Sequence, residues 1–300
     1  MKKFFVMAVV GLLAATSCSN ESEVTVCNET ETAPVHVRVR DFSMSVEGFS
    51  DSRGRTRTAE DPADCDEVGA ITLAFYNGTT EVYKVTQVKS DISTYNTFGE
   101  FSCHLPVGNY TMVAVGYGLF SGDAFSLDSP TAAGYSSEKA RETFVATQTV
   151  HIANTNAVEL SATLERVVSA LKIISTDGRP DHAKKIRTTY AAGGKSFNPT
   201  TGLATVNTGF AVEVSPSTPA NSAIEVKSFL FLASDEQDIN ITIDVLDAND
   251  DVLFTKQIPN VPFKRNRMTF LTGSVFSATS LTSAAFQVET GWLTNHTANF

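Results

Sequence analysis

Short segments in which apolar and polar residues alternate constrain the fold of this chain more than any other feature. Val35, Val37 and Val39, for example, are separated by a histidine and an arginine and are followed by a second arginine. A period of two places the valines on one face of a β-strand and the charged side chains on the other. The pattern predicts a half-buried strand over residues 35–40, a strand compatible with an edge position in its sheet.

Similar segments recur along the chain at intervals of about ten residues. They comprise residues 70–76, 81–87, 98–105, 110–117, 142–151, 157–164, 167–175, 185–190, 203–206, 224–233, 239–247, 252–258, 267–276 and 284–293. Turn sequences such as Asn77-Gly78 and Asn249-Asp250-Asp251 separate neighbouring segments and favour hairpins. Helical periodicity is weak, with one candidate short turn at residues 136–143.

Strand segments without intervening helices predict an all-β fold, and the length of the chain predicts two domains. We predict two tandem antiparallel β-sandwich domains, one at residues 34–164 and one at residues 165–300. The junction is placed near Leu164-Glu165-Arg166, where one predicted strand ends and the next begins almost without a linker. Such a short junction should hold the two domains rigidly.

The N-terminus has the order of a secretory signal, with a charged start, an apolar run over residues 4–15 and a small-residue exit. The apolar run is too short to cross a bilayer as a helix, which needs about 20 residues. Ala15-Thr16-Ser17-Cys18 resembles a lipobox. Residues 1–17 are therefore predicted to be a signal peptide and Cys18 to carry a lipid. The alternative is ordinary secretion, in which Cys18 is lost with the signal.

Residues 18–33 are rich in Glu, Thr and Asn and poor in large apolar side chains. This composition predicts a flexible, lipidated tether. Residues 19–23 are polar and acidic, as in lipoproteins sent to the outer face of the outer membrane. The expected location is therefore the cell outer membrane, lipid-anchored and surface-exposed.

The charge and the cysteines exclude some classes of protein. A formal net charge of −10 disfavours nucleic acid as a partner, because phosphates would be repelled. After Cys18 three cysteines remain, and their spacing matches no zinc motif. At most one disulfide can form among Cys27, Cys65 and Cys103. Small buried apolar side chains are the favoured interpretation, and the pairing stays open.

Candidate catalytic and metal motifs are weak. Gly193-Gly194-Lys195-Ser196 lacks the first glycine of a phosphate loop, since Thr189 stands there. The acidic turn around Asp247 lacks the glycine and glutamate of a calcium-binding loop. No G-x-S-x-G motif is present, and no histidines have the spacing of a metal-binding helix face or tight loop: His36, His104, His151, His182 and His296. We therefore expect neither a cofactor nor a metal site, and no enzyme activity.

An arginine-rich segment separates the first predicted strand from the next. Arg53, Arg55 and Arg57 alternate with small and polar residues, with little apolar content nearby. Such a segment is typically exposed and accessible to proteases. It is either a cleavage site for a trypsin-like protease or a solvated loop balanced by neighbouring acidic residues.

Several of these stretches together resemble the fimbrillin superfamily that builds type V pili, and most closely its FimB-type anchor or accessory subunits. The resemblance covers about residues 18–293 and rests on their order and spacing. The matching stretches are Cys18 with its acidic tether, residues 35–39, residues 105–114, the junction at 164–172, residues 260–269 with 271–273, and the closing strand at 286–292.

The resemblance implies two transthyretin-like β-sandwich domains that assemble by strand exchange with other fimbrial subunits. In related pilins a surface protease cuts after an arginine, the first strand leaves, and a strand from a neighbour fills the groove. Here the exchanged strand would be Val35 to Arg40, and the cut would follow Arg57 or Arg55. Anchor-type relatives generally keep the strand. The sequence leaves open whether this chain is a base, shaft or tip subunit.

Two functions of different class therefore remain. The preferred one is a non-enzymatic fimbrial subunit held to the outer membrane by its lipid. The rival is a surface glycan- or protein-binding lipoprotein of an uptake system, whose ligand the sequence does not name. Exposed aromatic platforms would favour the rival, because sugars stack on flat rings. Trp292 is the only tryptophan and lies in a predicted strand, where core packing is expected.

Overall fold

The computed structural model describes residues 34–40, 42–46, 58–277 and 287–290. Within these ranges the chain forms strands, turns and loops but no helix, which confirms the all-β prediction. Some residues singled out by the sequence lie outside the described ranges: Cys18, Cys27, Arg53, Arg55, Arg57, Trp292 and His296. In the described part of the chain, no helix is long and apolar enough to cross a membrane.

The strands form two groups, and the last strand of the first group, β12, spans the predicted junction between residues 164 and 165. The first group comprises β1 (Val35–Val39), β2 (Ser43–Val46), β3 (Thr58–Glu60), β4 (Ala70–Asn77), β5 (Thr80–Val88), β6 (Phe101–Leu105), β7 (Gly108–Tyr117), β8 (Phe125–Ser129), β9 (Ala132–Tyr135), β10 (Thr143–Ile152), β11 (Val158–Leu160) and β12 (Thr163–Arg166). The second group comprises β13 (Ser169–Ser175), β14 (Lys185–Tyr190), β15 (Phe197–Asn198), β16 (Leu203–Ala204), β17 (Phe210–Val214), β18 (Glu225–Leu230), β19 (Glu236–Leu246), β20 (Val252–Lys264), β21 (Met268–Gly273) and β22 (Gln287–Thr290).

The first sandwich encloses a core between two sheets. A three-stranded sheet in the order β11-β1-β6 packs over a seven-stranded sheet in the order β3-β2-β12-β10-β7-β4-β5. Alternating apolar side chains from both sheets fill the space between them, as period-two patterning requires. They include Val35, Val37, Val39, Leu105, Phe75, Met112, Phe144 and Leu164.

The second sandwich repeats this arrangement. Its two four-stranded sheets have the orders β18-β13-β21-β22 and β17-β14-β19-β20, and their facing side chains form a second core. Most described strand pairs are antiparallel. The parallel pairs are β1 with β11, β2 with β12, and β13 with β21.

A third core joins the two groups of strands. A smaller sheet in the order β16-β15-β9-β8 takes two strands from each group. Its two halves join where Phe197 of β15 pairs with Ala133 of β9. This sheet covers the outer face of β4 and β7, so that β4 is buried on both faces. Phe197 and Phe231 stack there at 4.6 Å between ring centroids.

The shared core bears on the predicted division at residue 164. Residues 33–300 group into one compact unit, since a sheet and an apolar cluster cross from one sandwich to the other. The boundary between residues 34–164 and 165–300 therefore stays a prediction about folding units.

Predicted and observed strands agree best where alternation is clean. The prediction for residues 185–190 coincides with β14, and Asn77-Gly78 and Asp250 lie at hairpin turns, with positive φ at Gly78 and Asp250. The single strand predicted at 157–164 was wrong. It divides into β11 and β12, because residues 161–162 carry the chain from one sheet of the sandwich to the other.

Candidate strand-exchange site

The first strand lies in the middle of its sheet, which corrects the expected edge position. β1 pairs antiparallel with β6, from Val35 opposite Leu105 to Val39 opposite Phe101. On its other side it pairs in parallel with β11, where Val37 lies opposite Val158. Because β1 is hydrogen-bonded on both sides, removing it would leave two strands with unpaired backbone groups.

The inward face of this strand is anchored in the first core. Val35, Val37 and Val39 are each no more than 1% exposed. Phe42 and Met44, which follow in the chain, are buried in the same core. Burying one such side chain stabilises a fold by about 1.5–3 kcal/mol, so the whole segment contributes on the order of 10 kcal/mol of gross apolar burial.

The outward face is polar and contributes much less. Glu159 on β11 lies 3.5 Å from Nη1 of Arg38 and 3.8 Å from Nε of Arg40. All three side chains are exposed by two-fifths or more, and exposed ion pairs add at most about 1 kcal/mol. Retention of β1 therefore depends on its valines and its backbone pairing.

Histidines meet on this outward face although they are far apart in the sequence. His36 lies directly opposite His104 in the β1–β6 ladder, and their rings stack at 5.1 Å between centroids. Nε2 of His36 lies 2.5 Å from Oγ of Ser102. Sequence spacing could not reveal this pair, because it is formed by strand register. In the described ranges no group of three or more His, Cys, Asp or Glu residues could hold a metal ion.

The chain then crosses to the opposite sheet of the sandwich. β2 lies between β12 and β3 in the seven-stranded sheet, and Met44 pairs with Leu164 and with Glu60. The segment of residues 34–46 thus contributes a strand to each sheet. Arg57 directly precedes β3 in the sequence, so a cut after Arg57 would separate both strands covalently from the rest of the chain.

An open strand edge lies beside this segment. β12 pairs with β10 at Phe144 and Val145 only, whereas β10 continues along β7 to Ile152. Where the strands diverge, a groove of about 560 Å³ opens between β10 and residues 161–163. Among the described strands none pairs with this side of β10 beyond Val145, and such an edge can accept an added strand.

A family model matches residues 124–296, which is more than half of the chain. It describes a family of unknown function, DUF6562. The chain belongs to this family. No curated protein matches this chain.

Solved structures share the fold of this DUF6562 protein at low sequence identity. A candidate adhesin from Bacteroides thetaiotaomicron is 12% identical with a TM-score of 0.52, over 86% of this chain and 97% of that one. A candidate adhesin from Bacteroides ovatus is 12% identical with a TM-score of 0.50, over 82% and 88%. The fimbrial anchor protein Mfa2 from Porphyromonas gingivalis is 12% identical with a TM-score of 0.49, over 86% and 98%. The first two likenesses show a common fold.

The described cysteines of the DUF6562 protein belong to the core. Cys103 lies on β6 opposite Val37, and burial raises the pKa of its thiol to about 11. Cys65 is buried as well, and its thiol donates to Glu67 at 3.3 Å. Packing rather than reactivity therefore accounts for both residues.

The other candidate motifs form turns. Residues 193–196 lead into the two-residue strand β15 with no helix after them, so the geometry of a phosphate loop is absent here. In the acidic turn, Asp247 accepts hydrogen bonds from the backbone of Asn249 and Asp251, and Lys185 pairs with Asp250. These contacts make the acidic turn a closed hairpin.

Proposed function

We propose that this DUF6562 protein is a non-enzymatic cell-surface fimbrial subunit, a lipid-anchored base or accessory subunit that joins its neighbours by β-strand exchange. The observation that carries the proposal is the position of β1. This strand lies between β6 and β11, with its valines in the core and its pairing groups engaged on both sides.

Such a position makes a strand exchangeable. When β1 leaves, the vacated groove exposes apolar core and unpaired N–H and C=O groups, and both are costly in water. A strand from another subunit with the same alternation of apolar and polar residues would cover the apolar core and pair these backbone groups again. The exchange therefore needs complementary backbone and small apolar side chains but no catalytic group.

Two further features support the proposal. The fold is shared with candidate adhesins at TM-scores of 0.52 and 0.50. The sequence offers Cys18 for a lipid and residues 18–33 for a tether, which would hold the folded part at the outer membrane surface. Arg55 and Arg57 lie between these strands and the body of the protein; a cut there would be expected of a shaft subunit, whereas a lipid-anchored base subunit would keep the strands.

The rival function, a surface glycan- or protein-binding lipoprotein, finds less support as far as its glycan-binding form is concerned. Phe120, 40% exposed, is the one aromatic ring among the exposed large apolar side chains of the described ranges. The guanidinium of Arg141 lies 4.2 Å from its centroid and covers one of the two ring faces on which a sugar could stack.

Strand replacement can be tested directly in the purified protein. Limited trypsin digestion should cut at the arginine cluster of residues 53–57 and leave the segment of residues 34–46 bound without covalent linkage. A fluorescent peptide with the sequence of residues 34–46, added in excess, should then enter the groove over time. Fluorescence anisotropy would follow its incorporation, and mass spectrometry would identify the displaced fragment.

Matched controls separate exchange from nonspecific binding. The peptide should not enter uncut protein, nor a variant in which Arg53, Arg55 and Arg57 are replaced by Ala. A peptide with Val37→Asp should not enter cut protein, because it would bury a carboxylate in an apolar core. Equal binding of the two peptides, or no binding of either, would contradict strand exchange.

The fimbrial role can be tested in cells. Deleting the gene in a strain that makes fimbriae should change fimbrial length or attachment to the cell. Fimbriae of unaltered length and attachment would count against this role.

A further inference from the structure

The edge of β10 continues beyond the point at which β12 leaves it. Among the described residues, β10 pairs with β12 at Phe144 and Val145, whereas it pairs with β7 over its whole length. The free edge therefore comprises the seven residues from Ala146 to Ile152, which span about 20 Å of strand. This is the length of an ordinary β-strand, so the free edge can pair with one extended segment.

Backbone groups point away from the sheet at every second residue of this edge. The N–H of Val167 donates to the carbonyl of Thr143 at 3.0 Å, so Thr143 directs its backbone groups toward the β12 side. Alternate residues of an antiparallel strand direct these groups to the same side. The backbone groups of Thr147, Thr149 and His151 therefore point to the open side, where none of the described residues pairs with them.

The free edge lacks the features that normally keep edge strands from pairing. Natural edge strands carry charged side chains, prolines or bulges for this purpose. Within the described ranges, the edge strand β5 carries Glu81 and Lys84, and the edge strand β20 carries Pro259 and Pro262. Residues 146–152 include no Asp, Glu, Lys, Arg, Pro or Gly. A regular, uncharged edge of this length favours pairing with another strand.

The groove beside the edge limits which side chains an added strand can carry. It has a volume of about 560 Å³ and lies between β10 and residues 161–163. Ala146 and Ala162 line it at the margin of the first core, so the inward side chains of an added strand must be small and apolar. Its outward side chains would lie beside Thr149 and His151, which are exposed, and polar residues suit these positions.

We propose that residues 146–152 of β10 bind an extended, uncharged segment of another polypeptide chain, which adds as a strand to the seven-stranded sheet. Main-chain hydrogen bonds at Thr147, Thr149 and His151 supply affinity, and alternate small apolar side chains in the groove supply selectivity. The site lies on the sheet opposite to that of β1 and is complete while β1 is in place. It therefore goes beyond the proposed function and does not rest on strand exchange.

Peptide binding to the uncut, purified full-length chain tests the site. The probe is the fluorescein-labelled peptide Thr-Val-Ser-Ala-Thr-Val-Ser, in which small apolar and hydroxyl side chains alternate, and fluorescence anisotropy follows its binding. We expect Thr149→Pro to bind the probe about tenfold or more weakly than wild type, because it lacks the N–H that pairs with the added strand. This proline leaves the pairing with β7 in place, since the N–H of Thr149 points away from β7.

Thr149→Ala is the matched control. It removes the same side chain but keeps the N–H, so it should bind the probe as wild type does. No binding of the probe to wild type, or equal binding to the two variants, would overturn the site.

Hydrogen exchange in wild-type protein gives a second readout that needs no variant. The probe should slow exchange at the amides of Thr147, Thr149 and His151 and leave the β1 amides unchanged. Unaltered exchange at these three amides would overturn the site. Faster exchange of the β1 amides would place the probe in the groove of β1 and would overturn it as well, whereas failure of the β10 site leaves strand exchange to its own test.

Discussion

At the scale of single residues, the carboxylate of Asp177 is hydrogen-bonded to the segment that follows β21 in the second sandwich. Asp177 accepts hydrogen bonds from Oγ of Ser274 at 2.6 Å and from the backbone N–H groups of Val275 and Phe276 at 2.9 and 2.8 Å. Burial alone would raise the pKa of Asp177, but these hydrogen bonds outweigh it and hold the pKa below the usual range. The ionised form is therefore the one that stabilises the fold.

Replacing this carboxylate should lower stability in a pH-dependent way. Asp177→Asn should reduce the free energy of unfolding at pH 7 by about 1–3 kcal/mol. Because the folded pKa is lowered, the stabilisation is complete above the pKa of an unfolded Asp, about 3.9, and is lost as the pH falls through the folded value. Urea unfolding should show that the difference in free energy of unfolding between wild type and Asp177→Asn becomes smaller in acid.

The matched control is Asp181→Asn, since Asp181 is exposed and lies 3.6 Å from Lys184 in a surface ion pair. This change should alter the free energy of unfolding by less than about 1 kcal/mol. A gap for Asp177→Asn that stays constant from neutral pH to acid would contradict the assignment of its stabilisation to the ionised carboxylate.

Cys103 should report on the state of β1. In the folded protein burial raises its thiol pKa to about 11, so alkylation at pH 8 should be slow, because the thiolate is the reactive form. Displacement of β1 uncovers β6 and should make alkylation of Cys103 much faster. Peptide mapping after iodoacetamide treatment measures this at one residue. Fast alkylation of Cys103 in intact protein would contradict the packing described for it.

At the scale of secondary-structure elements, β1 should depend on its inward side chains. Val37→Asp places a carboxylate in a fully buried position and should lower the free energy of unfolding by about 3 kcal/mol or more. Arg38→Thr, one residue away on the outward face, should cost less than about 1 kcal/mol. Chemical unfolding gives both values. Similar values for the two variants would contradict the alternation of faces along β1.

Clean alternation allowed some elements to be predicted from the sequence, and strand pairing limited the rest. In β14 the inward Ile186, Thr188 and Tyr190 alternate with partly exposed residues, so a local pattern was sufficient. The short strands β9 and β15 lack such a pattern in their sequences, and they pair across distant segments, Phe197 with Ala133. The middle position of β1 depends in the same way on β11, more than a hundred residues later.

At the scale of the whole molecule, a buried ion pair lies at the junction of the two sandwiches. Nε of Arg166 lies 2.9 Å from a carboxylate oxygen of Glu142. Arg166 also donates to Asn266 of the second sandwich at 3.1 Å, and Lys227 lies 3.8 Å from Glu142. Burial raises the pKa of Glu142 in spite of both cations. A conversion of either partner to a neutral residue leaves an uncompensated charge there.

Glu142→Gln should therefore reduce the free energy of unfolding by about 3–5 kcal/mol. The control is Glu236→Gln, which removes the exposed pair of Glu236 with Lys264 and should cost less than about 1 kcal/mol. The double variant Glu142→Leu with Arg166→Met should recover most of the loss, because no lone charge remains. An equal loss of free energy of unfolding in Glu142→Gln and in the double variant would show that Glu142 and Arg166 are not coupled.

The candidate site was predictable from the sequence in part. Alternation identified the strand of Val35, Val37 and Val39, because periodicity is local. The sequence did not reveal that His36 and His104 meet, since strand register brings together residues that no spacing rule connects. The third core escaped prediction for the same reason, because Phe197 meets the first sandwich through a sheet assembled from both halves of the chain.

The most direct test of the account is the intact mass of the mature protein purified from outer membranes. A lipid-anchored subunit that keeps its first strand should begin at Cys18, carry the added mass of its lipid, and include residues 35–40. A chain that begins elsewhere without lipid, or that begins at Thr58, would contradict the proposal of a lipid-anchored base or accessory subunit.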